Sequence, residues 1–170
     1  MRKFILKESQ IKLLVEDEMN QKYIDLVKNA NIDNIDFEVA EDDIGRSITF
    51  SNQSSRLFIL PVINGIEIPI ELIRFNVTPK TRKIDSGETI EVYDTDIYVN
   101  PALRGNDISV KMFYAFIKIY GNLMIVKSSI HNPDGIAKIA WRLSKMSNII
   151  FTEETDDNGN FAGYLFRYQY

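Results

Sequence analysis

The chain has 170 residues, of which 45% are hydrophobic and 11% aromatic, enough for a single domain over residues 1–170 with a sizeable core. A formal net charge of −4 gives no general attraction to nucleic acid or to anionic lipid. With no cysteine and one histidine, disulfides and thiolate metal sites are excluded, and a zinc site lacks its usual ligands.

The start, "MRKFILKESQ", turns polar after three apolar residues, too soon for a secretory signal, and no apolar run approaches membrane-spanning length. The expectation is a soluble, non-secreted protein of the cytoplasm or the inside of a virion. "KFIL" predicts an edge strand. Ser9 is a suitable N-cap for a long amphipathic helix in which Ile11, Leu14, Val15, Met19, Tyr23, Leu26 and Val27 recur at helical spacing. "NANIDNID" has loop composition, and "DFEVA", "RSITFS" and "RLFILPVI" predict strands. Asn64-Gly65 joins the last of these to "IEIPIELIRFNV" as a hairpin turn, and Pro69 predicts an edge, bulge or break in the second arm.

"TPKTRKIDSGE" is rich in turn formers and charge and predicts an exposed loop before the strand "TIEVYDTDIYV". "ISVKMFYAFIKIY" is apolar on nearly every side, as expected of a core helix, and Gly121-Asn122 marks its end. A buried strand, "LMIVKSSI", follows. "HNPDGIAKIAWRLSKM" predicts a second helix, with Asn132 as N-cap and Pro133 at the first helical position. "NIIFTEE" and "FAGYLFRYQY" flank "TDDNGN" as a closing hairpin. Because a helix is the only link between "TIEVYDTDIYV" and "LMIVKSSI", these strands are expected to run parallel. The fold class is α/β (α+β), a mixed and mostly antiparallel sheet flanked by helices with a parallel β-α-β pair at its centre.

"VNPALRGNDIS", residues 99–109, lies between the central strand and the core helix. Glycine-containing loops that open helices offer unpaired N–H groups to an anion. Val99, Pro101, Arg104, Gly105 and Ile108, with Asn132 after the next strand and "AWRLSKM" at the second helix end, resemble the GNAT N-acetyltransferase superfamily. The resemblance is specific from about residue 93 to 146. It implies acetyl-CoA as cofactor, with the loop's backbone amides taking the pyrophosphate and Ile97, Val99, Arg104, Gly105, Asn106, Asp107, Ile108, Ser109 and Asn132 as the cofactor-binding residues. It also implies backbone groups from Ile97 to Val99 polarising the thioester, and a carboxylate such as Glu71 or Glu91 accepting the amine proton.

Several positions depart from the family pattern. Asp107 and Ser109 replace two loop glycines, Trp141 stands where the family carries a general-acid Tyr, and Lys145-Met146 replaces Gly-Phe. An aspartate tolerates φ > 0 better than most residues, but its charge opposes a pyrophosphate. An indole N–H cannot protonate a thiolate at neutral pH.

Each candidate also has a plain reading. Gly105 is turn chemistry, Asn132 an N-cap, Trp141 core packing and His131 a strand-end residue. Glu71, Glu91, Asp94 and Asp96 would lie on a solvated sheet face, with Glu91 opposite Asp94 and Asp96 by strand alternation.

A second resemblance, of "FILKESQIKLLVEDE" to the Ser-capped N-terminal helices of tailed-phage proteins, implies a virion or host-directed setting. Two functions follow. One is a GNAT-fold protein with impaired catalysis that acts by binding virion or host proteins. The other is an acetyl-CoA-dependent N-acyltransferase acting on a protein or small amine.

Overall fold

The computed structural model describes residues 20–40, 57–84, 87–103, 105, 107–126 and 133–170. The strands expected at "KFIL" and "RSITFS", the helix upstream of residue 20, and the positions of Arg104, Asn106, His131 and Asn132 lie outside the described residues.

Residues 20–28 form helix α1, with Val27 buried and Tyr23, Ile24 and Leu26 packed against the core. A 3-10 turn at Ile32–Asn34 leads into β1 (Ile35–Val39). β2 (Leu57–Ile63) turns through Asn64 (φ 53°) and Gly65 (φ 76°) into the short β3 (Ile66–Glu67). Two successive positive φ values make this the type I′ turn that Asn-Gly favours. The second arm breaks at Pro69, whose carbonyl accepts from the N–H groups of Leu72 and Ile73 before β4 (Ile73–Lys83) begins.

β4 takes residues 78–83 out of the exposed loop expected over "TPKTRKIDSGE" and leaves a shorter connection, in which Ile84 N–H donates to Glu88 O. It pairs residue for residue with β5 (Thr89–Val99), from Ile73↔Val99 to Lys83↔Thr89. Pro79 sits on the β2-facing edge of β4, beyond Leu57↔Val77, the last pair of these two strands among the described residues. Asn100 N–H donates to Leu72 O, which sets the alternation of the ladder and turns the N-side of Pro79 to that edge. Asp94, only 6% exposed, then draws Lys80 and Arg82 onto the same face of the hairpin. Composition alone reads as loop; cross-strand charge pairing makes it strand.

A 3-10 turn (Pro101–Leu103), α2 (Ile108–Tyr120), β6 (Asn122–Val126), α3 (Pro133–Leu143) and the hairpin β7 (Ile149–Thr155)–β8 (Phe161–Tyr168) complete the order. The sheet runs β1-β2-β4-β5-β6-β8-β7 with β3 attached to β2, and every pair is antiparallel except β5–β6. The crossover through α2 therefore does join parallel strands, as its length requires. The three described α-helices feed one hydrophobic cluster: Val27 from α1, Phe113 and Phe116 from α2, and Ala140 and Leu143 from α3, against Ile59, Phe75, Leu123 and Phe166.

α2 is held on the sheet by stacked and edge-on rings. Phe75 and Phe116 stack at 5.0 Å, Phe37 meets both rings edge-on at 5.3 Å, and Phe116 lies 4.4 Å from Tyr120. Such pairs add about 0.5–1.5 kcal/mol each beyond their buried area. They fix the C-terminal half of α2 against β1 and β4. None of the described helices is long and apolar enough to cross a membrane.

Candidate functional site

The site begins where β5 and β6 part. Their ladder is confined to Tyr93↔Leu123 and Asp94↔Met124, whereas β5 continues against β4 to Val99. With Asn100 bonded toward β4, alternation turns the backbone N–H and C=O groups of Thr95, Ile97 and Val99 to the opposite side. Among the described residues no strand pairs with β5 at Ile97 and Val99, whose main-chain groups face the β6 side of the strand.

Asn100 anchors the loop that follows. Its side-chain amide donates to Glu71 O at 3.1 Å, its Oδ1 accepts from Ala102 N–H at 3.0 Å, and its carbonyl accepts from Leu103 N–H at 2.9 Å. Leu103 is then fully buried, which closes the loop onto the core. Asn before Pro is the turn signal that marks this residue, although its role as a strut to the β3–β4 connection depends on tertiary contact.

Gly105 takes φ 90° and Asp107 takes φ 57°, ψ 25°, so Asp107 sits in the left-handed region at the N-cap of α2. An aspartate meets the backbone requirement of this position at a modest cost. Its carboxylate makes no capping bond. Asp107 Oδ1 instead accepts from Arg142 Nη1 of α3. Arg142 thus neutralises the charge that the sequence sets against an anion in this loop. Ile108 N–H meets Gly105 O at 3.5 Å, while Ser109 and Val110 lie in the first turn of α2, where helix geometry supplies no intrahelical acceptor.

A cavity of about 200 Å³ opens here, lined by Val99, Leu103, Gly105, Asp107, Ile108, Ser109, Val110, Lys138, Ile139 and Arg142. The structure thus gathers Val99, Gly105, Asp107, Ile108 and Ser109 in one place. Lys138 and Arg142, one helical turn apart on α3, add two cations against one carboxylate. That spacing is visible in the sequence, but its direction toward the loop is set only by the packing of α3 on α2.

The two candidate carboxylates stand elsewhere. Glu71 occupies the exposed turn before β4 and meets the loop through its backbone carbonyl. Glu91 is exposed near the start of β5, about 26 Å along the strand from Val99. It accepts from the Tyr93 hydroxyl at 3.4 Å, and burial, together with the Glu91 charge and this bond, raises the Tyr93 pKa.

Three plain readings are also corrected. Asp94 is buried in its ion pairs with Lys80 and Arg82 and does not lie on a solvated face. Asp96 is partly buried and accepts from the Asn76 side chain at 3.3 Å. Trp141 is 63% exposed, outside the core and outside the cavity at the loop, because the apolar stripe of α3 runs through Ala140 and Leu143. Among the described residues no cluster of His, Asp and Glu is arranged to hold a metal ion. No protein-family model and no curated protein matches this sequence.

Proposed function

We propose that the chain is a GNAT-type protein, one domain over residues 1–170, whose β5–α2 loop takes the pyrophosphate of an acyl-CoA and which acts by binding, not by acyl transfer. The strand order, with its single parallel pair and the last hairpin placing β8 between β6 and β7, supports the fold reading. The observation that carries the ligand is the cavity where Lys138 and Arg142 outnumber Asp107 beside the first turn of α2. The main-chain groups of Ile97 and Val99, turned away from β4, suit an extended amide-bearing chain such as pantetheine. The role of binding rests on the proton donor: the family's phenol is replaced by an indole, and that indole stands away from the cavity. The phage-type N-terminal pattern supports a virion or host protein as the partner.

Acyl transfer is the second reading, favoured by one observation: neither Trp141 nor Met146 lines the cavity at the end of β5. In that reading Glu71, nearest the loop, serves as base ahead of Glu91, and water supplies the proton.

Calorimetry with acetyl-CoA, paired with a thiol-release assay on amine substrates, tests both. Binding without release of coenzyme A is the expected result. Amine-dependent release would establish the second reading. No binding at millimolar acetyl-CoA would remove both.

A further inference from the structure

The chain has a single tryptophan, and it is the most exposed large hydrophobic side chain on any described helix. Trp141 is 63% exposed and forms part of a second cavity of about 380 Å³, lined also by Ile32, Asp107, Val110, Lys111, Arg142, Lys145 and Met146. An indole left in water at the wall of a cavity keeps a large apolar surface unburied and offers a flat stacking face. Lys145 Nζ stands 5.7 Å from the ring centre. Lys111 is committed to the C-terminal end of α1, donating to Lys28 O at 3.3 Å and Ala30 O at 2.8 Å. Arg142 and Lys145 are therefore the cations available to a ligand in this cavity.

The second cavity joins the first through Asp107, Val110 and Arg142, which line both. Along α3 and the turn that follows it, Lys138, Trp141, Arg142 and Lys145 form one stripe: cation, indole, cation, cation. A ligand that fits this stripe carries two phosphates at one end and a planar heterocycle beside them. We propose that Trp141 is the base-stacking platform of a purine nucleoside diphosphate site, with Arg142 bridging the diphosphate in the first cavity to the base in the second and Lys145 at the rim. The inference rests on the reading of the β5–α2 loop as a pyrophosphate site. It adds the part of the ligand that the loop does not touch.

Because the chain's one tryptophan is in the proposed site, its fluorescence reports directly on stacking. The full chain is titrated with inorganic pyrophosphate, ADP and acetyl-CoA, following heat and Trp141 emission together. Expected are binding of ADP about tenfold or more tighter than pyrophosphate, since stacking on an aromatic ring is worth that much, and quenching by ADP and acetyl-CoA only. Trp141→Ala lowers ADP affinity to that of pyrophosphate and leaves pyrophosphate binding unchanged, while Trp141→Phe retains most of the difference. Equal binding of ADP and pyrophosphate without quenching overturns the stacking site and leaves the loop reading standing. ADP affinity unaltered in Trp141→Ala overturns it as well. Binding of none of the three overturns both.

Discussion

Arg142 and Asp107 form an ion pair that ties the last turn of α3 to the N-cap of α2, beside the cavity at the end of β5. Both side chains are about half exposed, at 47% and 57%, so the pair contributes only about 0.2–1 kcal/mol to stability. Its larger effect is on the site: an incoming phosphate competes with Asp107 for Arg142.

Asp107→Asn is expected to release Arg142 while keeping a side chain that tolerates the left-handed backbone. Acetyl-CoA affinity should rise roughly tenfold, about 1.4 kcal/mol. Asp107→Gly should gain as much with a cost of about 0.5–1 kcal/mol in folding stability from unfolded-state entropy. Arg142→Ala should lose affinity, since it removes a cation and leaves the carboxylate unopposed. Calorimetry on the three variants decides; equal affinity in all of them would show that the pair does not touch the ligand.

Asn100→Ala removes the side-chain bonds to Glu71 O and Ala102 N–H. About 1–2 kcal/mol of stability should be lost, measured by urea unfolding. Ligand affinity should fall beyond what the stability loss explains, because the loop loses its strut. An Asn100→Asp variant keeps the Ala102 bond alone and should fall between.

The Asp94 cluster predicts an asymmetry. Lys80 and Arg82 have side chains 51% and 31% exposed, whereas the Asp94 side chain is 5% exposed. Asp94→Asn frees cations that reach water and should cost about 1–2 kcal/mol. The double variant Lys80→Ala/Arg82→Ala strands a buried carboxylate and should cost more, about 3–5 kcal/mol. Thermal unfolding of both checks the order.

Stability should fall at alkaline pH. Burial, then the charges of Asp36 and Tyr93, raises the Tyr120 pKa, while burial first raises those of Tyr93 and Tyr114. Unfolded tyrosines ionise near pH 10, so above that pH the folded chain binds more protons than the unfolded one. The contribution is complete below pH 10 and is lost as pH rises through the folded values. Tyr120→Phe should flatten this limb in denaturation curves from pH 9 to 11; an unchanged slope would assign it to other groups.

Local chemistry determined much of this protein. The Asn64-Gly65 turn, the run of α2 from Ile108 to Tyr120, its stop at Gly121, the start of α3 at Pro133 and the parallel β5–β6 crossover all follow from signals within a few residues or from one connection length. The gathering of Val99, Gly105, Asp107, Ile108 and Ser109 followed from contiguity in the chain. What only the tertiary structure decided are features that join distant segments. Asp107 is a mismatched charge until α3 brings Arg142 to it. "TPKTRKIDSGE" has the composition of a loop until Asp94 on the neighbouring strand gives Lys80 and Arg82 a buried partner. Trp141 counts as core until the packing of Ala140 and Leu143 turns it outward. Composition and spacing describe a residue's preferences, whereas the dielectric around it and the charge opposite it depend on which segments the fold brings together.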